Sequence, residues 1–152
     1  MTHLAAVAGS HVDDETVGFC SYCGTLDGAS RRVCTECGLG VQLRTSPGVL
    51  RSPGAAFLVV RADGRVSAAS AAAERMLTTH GELVGKPLMA LLHSREEEGL
   101  LARSVALAAS GRPHTAEMAV ELIGTARKRA GARAKIASCG QPPAALVLLE
   151  RA

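Results

Sequence analysis

The stretch AFLVVRADGRVSAASAAAERMLTTHGELVGKPLMALL, Ala56 to Leu92, decides the fold. Four apolar residues, Phe57 to Val60, make a short strand. Ala62-Asp63-Gly64 reads as a tight turn, because Asp and Gly accept the backbone angles that such a turn needs. Val66 to Ala69 returns as a second strand. Ser70 then caps a short helix that carries Ala73, Met76 and Leu77 on one face.

Working outward, Ser94 and Glu97 are spaced as a capping box, and the helix they open runs to Ala109. Glu96, Glu97 and Glu98 put negative charge at its positive end. Leu100, Leu101, Val105 and Ala108 make its apolar face, with Gly111 and Pro113 as stops. His114 to Ile123 alternates, with Met118, Val120 and Leu122 on one side and Glu117 and Glu121 on the other, so it is a half-buried strand. A basic loop containing Arg127-Lys128-Arg129 leads to a strand at Ala132 to Ser138, with Arg133 and Lys135 on its wet face. Gly140-Gln141-Pro142-Pro143 turns the chain into Ala144 to Leu149, apolar enough to be central or covered on both faces.

This order of hairpin, short helix, the Glu82 to Leu88 segment ELVGKPL, long helix and three strands resembles a PAS domain over roughly residues 55–151. The resemblance implies an α+β fold: a PAS-like five-stranded antiparallel sheet with flanking helices. It also implies a ligand cavity lined by Phe57, Val59, Met118, Val120, Leu122, Ile136, Leu146 and Leu148.

Phe19 to Leu39 carries the sharpest chemistry. Cys20 and Cys23 form one C-x-x-C pair and Cys34 and Cys37 a second, followed by Gly24 and Gly38. Two residues between thiolates let one tight turn aim both sulfurs at one ion, and the glycine permits the close approach. Four thiolates complete a tetrahedral Zn2+ shell with no open position, which makes such a site structural. The arrangement resembles a zinc ribbon of two knuckles. Two disulfides would need an oxidising compartment, to which nothing points. A rubredoxin-like iron site uses the same paired turns, but with a longer gap and more aromatics than Phe19 and Tyr22. A thioredoxin-like motif would need a surrounding strand–helix unit. Zinc is the expected ion, with iron the open alternative. So short a segment has little core, and the metal must supply most of its folding energy.

The density of Pro and Gly at Pro47-Gly48 and Pro53-Gly54 marks a linker. The expected organisation is a flexible leader at 1–17, the zinc ribbon at 18–44, a linker at 45–54 and the PAS-like domain at 55–152. Residues 1–53 hold four Arg against five Asp or Glu, and residues 54–152 hold thirteen Lys or Arg against nine acidic residues. The ribbon half is thus net negative, more so with four thiolates around zinc, and a poor phosphate binder. Hydrophobic residues are 47% of the 152, but aromatics only 2%, so Leu, Val and Ala must build the core. Arg outnumbers Lys and Ala and Gly abound, as in GC-rich bacterial genomes. No stretch reaches the roughly 18 apolar residues of a membrane helix, and the start lacks signal-peptide character; a cytoplasmic protein is expected.

Residues 95–110 contain no His, the usual source of a haem ligand in the long helix of the PAS resemblance, and no N-C-R-F-L motif for a photoactive flavin occurs. Haem and flavin are therefore not expected. His80 and His93 read as solvated or capping, and Cys139 as a small residue at a strand end. The expected function is non-enzymatic and regulatory or sensory, exercised by binding a small-molecule ligand or a protein partner. No output module is expected after Arg151, so the signal is expected to leave through that partner. The alternative is a transcription-associated or nucleic-acid accessory docking through the ribbon; an enzyme ranks third, because no catalytic constellation stands out. A homodimer is expected, because the strand at Ala144 to Leu149 is too apolar to leave bare, and only the leader, the ribbon or a second copy is available to cover it.

Overall fold

The computed structural model describes residues 17–23, 26–27, 34, 37, 42–45, 55–77, 81–112, 114–123, 130–139 and 143–151. Most of the leader and linker, the basic triplet 127–129, Pro113, Gly140 to Pro142, His3, His11 and His80 lie outside the described residues.

The hairpin at the centre of the sequence forms as its residues dictate. β4 (Ala56–Val60) and β5 (Val66–Ala69) pair antiparallel. Gly64 closes the turn with φ +83°, its N–H donating to the Arg61 carbonyl at 2.9 Å. The Asp63 carboxylate accepts from the Arg65 N–H at 3.0 Å. Ser70 caps helix α1 (Ala71–Met76), its Oγ accepting from the Ala73 N–H at 3.1 Å. The same oxygen accepts from the Phe57 N–H at 2.9 Å, so one buried hydroxyl ties the helix start to β4.

Before this hairpin stand β1 (Val17–Cys20), β2 (Leu26–Asp27) and β3 (Gln42–Thr45). After it come a 3-10 turn at Leu88–Ala90, β6 (Leu92–Ser94), helix α2 (Leu100–Ala109), β7 (Thr115–Leu122), β8 (Ala130–Cys139) and β9 (Ala144–Arg151). All nine strands among the described residues belong to one sheet of order β2-β1-β3-β8-β9-β4-β5, with β7 on β8 and β6 on β7. The sheet curls into a half-barrel.

The expected fold needs correction. Instead of a five-stranded PAS-like sheet with flanking helices, the described residues form a mostly antiparallel, nine-stranded half-barrel with two α-helices. Two edge pairings make the difference, and neither leaves a periodic signature. Thr45 of β3 pairs with Cys139 of β8, joining the cysteine segment to the sheet. Leu92 to Ser94, inside the stretch read as leading into the long helix, adds to β7 opposite Val120 to Leu122.

The long helix is also shorter than its spacing suggests. Ser94 ends a strand, and α2 begins at Leu100 after Gly99, which sits at φ +80° without a side-chain cap. The expected partners are engaged elsewhere. The Glu96 carboxylate accepts from the Ala119 N–H of β7 at 2.8 Å, and Glu97 pairs with Arg103 at 3.2 Å. The apolar face reads correctly for Leu101, Val105 and Ala108, which are buried.

β9 lies between β8 and β4, and Ala144 to Leu149 are all buried, as so apolar a strand requires. Its two faces meet different partners. On one, Ala145, Val147 and Leu149 join Leu58, Val60, Ala73, Leu101 and Ile136 in a core of 24 buried residues into which both helices pack. On the other, Leu146 and Leu148 join Phe57, Val59, Cys139, Ala144 and Phe19. The eight side chains expected to line one cavity are therefore divided. Met118, Val120, Leu122 and Ile136 face the helices, whereas Phe57, Val59, Leu146 and Leu148 face the cysteine segment.

Candidate metal centre

Cys20 ends β1, and the chain turns at once through Ser21, Tyr22 and Cys23. The Cys20 Sγ accepts from the Tyr22 N–H at 3.3 Å and from the Cys23 N–H at 3.4 Å. Those two bonds close the turn and aim Cys23 at the same point. Cys34 and Cys37 approach from the second pair. Cys20 and Cys37 Sγ are 3.6 Å apart, Cys23 and Cys34 Sγ are 3.7 Å apart, and all four sulfurs lie within 4.8 Å of one another.

These distances fit a metal. Four sulfurs about 2.3 Å from a central ion stand roughly 3.8 Å from each other in a tetrahedron, whereas a disulfide needs about 2.05 Å. None of the five cysteines is in a disulfide. Cys20 and Cys34 are buried and Cys23 and Cys37 half-buried, so the centre is largely screened from water. Burial pushes the Cys20 thiol up to about 12, against the pull of the two backbone donors. A cation among the sulfurs reverses that balance, since a coordinated thiol is held as thiolate. Cys20, Cys23, Cys34 and Cys37 are thus placed to hold a metal ion such as zinc.

The surroundings bind this centre to the sheet. Phe19, beside the first ligand, is fully buried, and its ring meets Phe57 edge to face at 5.4 Å and 87°. The Tyr22 carbonyl, inside the first knuckle, accepts from the Ala71 N–H at the start of α1 at 2.9 Å. Thr45 Oγ1 donates to the Ser138 carbonyl at 3.2 Å. These anchors were absent from the sequence reading. A signal for Phe19 existed: it is one of only two Phe in the chain and adjoins a candidate ligand. Nothing local marks Tyr22, whose contact is made by its backbone.

The remaining residues singled out are dispersed. Cys139 is buried against Phe19 and the β9 side chains, and burial pushes its thiol to about 12, so it is a small apolar filler. His93 is exposed, while His114 is partly buried with Nε2 unpartnered among the described residues. Arg133 pairs with Glu117 at 2.8 Å and Lys135 with Glu150 at 3.1 Å, which neutralises that part of the basic cluster. A cleft of about 570 Å³ opens between the 3-10 turn, β6 and the start of α2, lined by Met89, Leu92, His93, Glu98 and Leu101 among others. No described helix is long and apolar enough to cross a membrane. A comparison with protein families, with curated proteins and with solved structures found no match to this chain.

Proposed function

We propose that this is a non-catalytic regulatory protein that works by binding a protein partner or a small-molecule ligand, stabilised by one structural zinc on Cys20, Cys23, Cys34 and Cys37. The observation that carries the reading is the closed four-sulfur cluster, all within 4.8 Å, on a segment whose Phe19 is seated against the sheet. A four-thiolate ion has no vacant position for water or substrate and serves folding. Magnitudes agree. Burying Phe19 contributes about 1.5–3 kcal/mol, and ordering each residue costs about 1–2 kcal/mol. One aromatic anchor cannot order the knuckles and their flanks, whereas structural zinc contributes about 10–16 kcal/mol.

Cysteines that form no disulfide and a thiolate metal site favour a reducing, cytoplasmic setting. The ion-paired Arg133 and Lys135 weigh against a phosphate-binding role. Elemental analysis of the purified chain tests the metal: one zinc per chain is expected, lost in Cys20→Ser plus Cys37→Ser. Recovery of a bound partner or ligand from the host supports the regulatory role. Turnover on a metabolite panel, abolished by a substitution in the 570 Å³ cleft, would overturn it.

A further inference from the structure

Two clusters of very unequal size share one sheet. The helix-side core of 24 buried residues contains nothing before Ala56, so among the described residues it closes without the cysteine segment. The other cluster holds seven, and Phe19 is its fully buried member from outside β4, β8 and β9. Phe57, Val59, Ala144, Leu146 and Leu148 would become an apolar patch if Phe19, with Leu43 of β3 packed beside it, left with the segment. Among the described residues, the direct strand pairing between the cysteine segment and the rest is the single Thr45–Cys139 step.

The border of that patch says what it fits. The register sets Lys135 opposite Leu148 and Arg133 opposite Glu150, so these charges stand on the same face as the patch. Glu117 lies opposite Lys135 and bonds Arg133 diagonally. Glu117, Arg133, Lys135 and Glu150 are equal in positive and negative charge and already paired. A nucleic acid gains nothing from such a border, and neither does a strongly charged protein. A second copy brings apolar surface to apolar surface without net repulsion, through the same patch on both partners.

We propose that the four-cysteine centre is a latch on a self-association surface: with metal bound, Phe19 covers the β9–β4 face, and on metal loss the segment lifts and two copies pair through the uncovered patch. This rests on the reading of the cysteines as a metal site. It differs from constitutive dimerisation through β9, because in the metal-bound state the face is occupied.

Sedimentation of the full chain, zinc-loaded and after EDTA with reductant, tests it. The loaded chain is expected at monomer mass, and stripping is expected to double the mass while amides of Leu58, Val105 and Val147 keep their protection. Phe19→Asp retains all four thiols and is expected to keep its zinc yet sediment as a dimer. The same mass with and without metal overturns the proposal, as does loss of helix-side protection on stripping. A chain that never binds zinc defeats the metal reading instead. Phe19→Asp then decides the surface alone, where doubled mass upholds it and monomer mass overturns it.

Discussion

The two faces of the sheet are held by different physics. Toward the helices, Leu, Val, Ile, Met and Ala from six strands and both helices interlock, and apolar burial suffices. Toward the cysteine segment there are a handful of side chains and one aromatic pair, carried by strands that adjoin four cysteines placed to hold a metal ion. In a chain with 2% aromatic residues, the lone ring contact among the described residues sits where apolar mass is scarcest. A small face can be covered by an element that does not fold by itself if a metal orders it.

Removing the metal is the largest perturbation. Chelation, or Cys20→Ser plus Cys37→Ser, should withdraw most of the roughly 10–16 kcal/mol of binding energy from the segment. Hydrogen exchange should show β1 and β3 opening while β4, β7, β8 and β9 stay protected. Uniform loss of protection would collapse the distinction between the faces.

Next is Leu58→Ala, at a fully buried site in the larger core, expected to lower global stability by about 2–5 kcal/mol in denaturant titration. Phe19→Ala removes more volume, yet should leave the global midpoint less changed and expose the cysteine segment to protease. If Phe19→Ala shifts the global transition more than Leu58→Ala, the faces fold as one unit.

Ser70→Ala sharpens the link between the faces, because its hydroxyl serves both the Phe57 and Ala73 N–H groups. A loss of about 1–2 kcal/mol is expected from the cap and the orphaned β4 donor, read from the urea midpoint.

A smaller effect concerns pH. Burial raises the Cys139 thiol from its ordinary 9.0 to about 12 in the folded chain. The folded value lies above the unfolded one and the neutral form is the buried one. Its contribution is therefore full below pH 9.0 and is lost as pH climbs toward 12. The stability difference between wild type and Cys139→Ala should be flat at neutral pH and shrink above pH 9. A difference that grows with pH would show Cys139 ionised in place.

Least of all, Glu117→Gln breaks a half-exposed ion pair with Arg133 and should leave the thermal midpoint unchanged within error. The hydrogen bond from Arg133 holds that carboxyl below its ordinary value, so any loss in the wild type appears only at acid pH.

Much of this was legible in the residues because the signals are local. Asp63-Gly64 marks a turn and Ser70 a cap, alternation from Glu117 to Leu122 marks a half-buried strand, and an unbroken run from Ala144 to Leu149 marks a central one. Paired C-x-x-C spacing likewise marks the ligands, since a knuckle is made by neighbours in sequence. Edges are different. Whether Leu92 to Ser94 joins β7, whether Thr45 meets Cys139, and whether Ser94 caps a helix or ends a strand depend on partners tens of residues away. Periodicity gives a strand two faces without saying what lies on each. That Phe57 and Leu146 meet Phe19 while Leu58 and Val147 meet the helices was decided only when the sheet closed, because burial on the second face comes from a segment distant in sequence that carries little apolar pattern of its own.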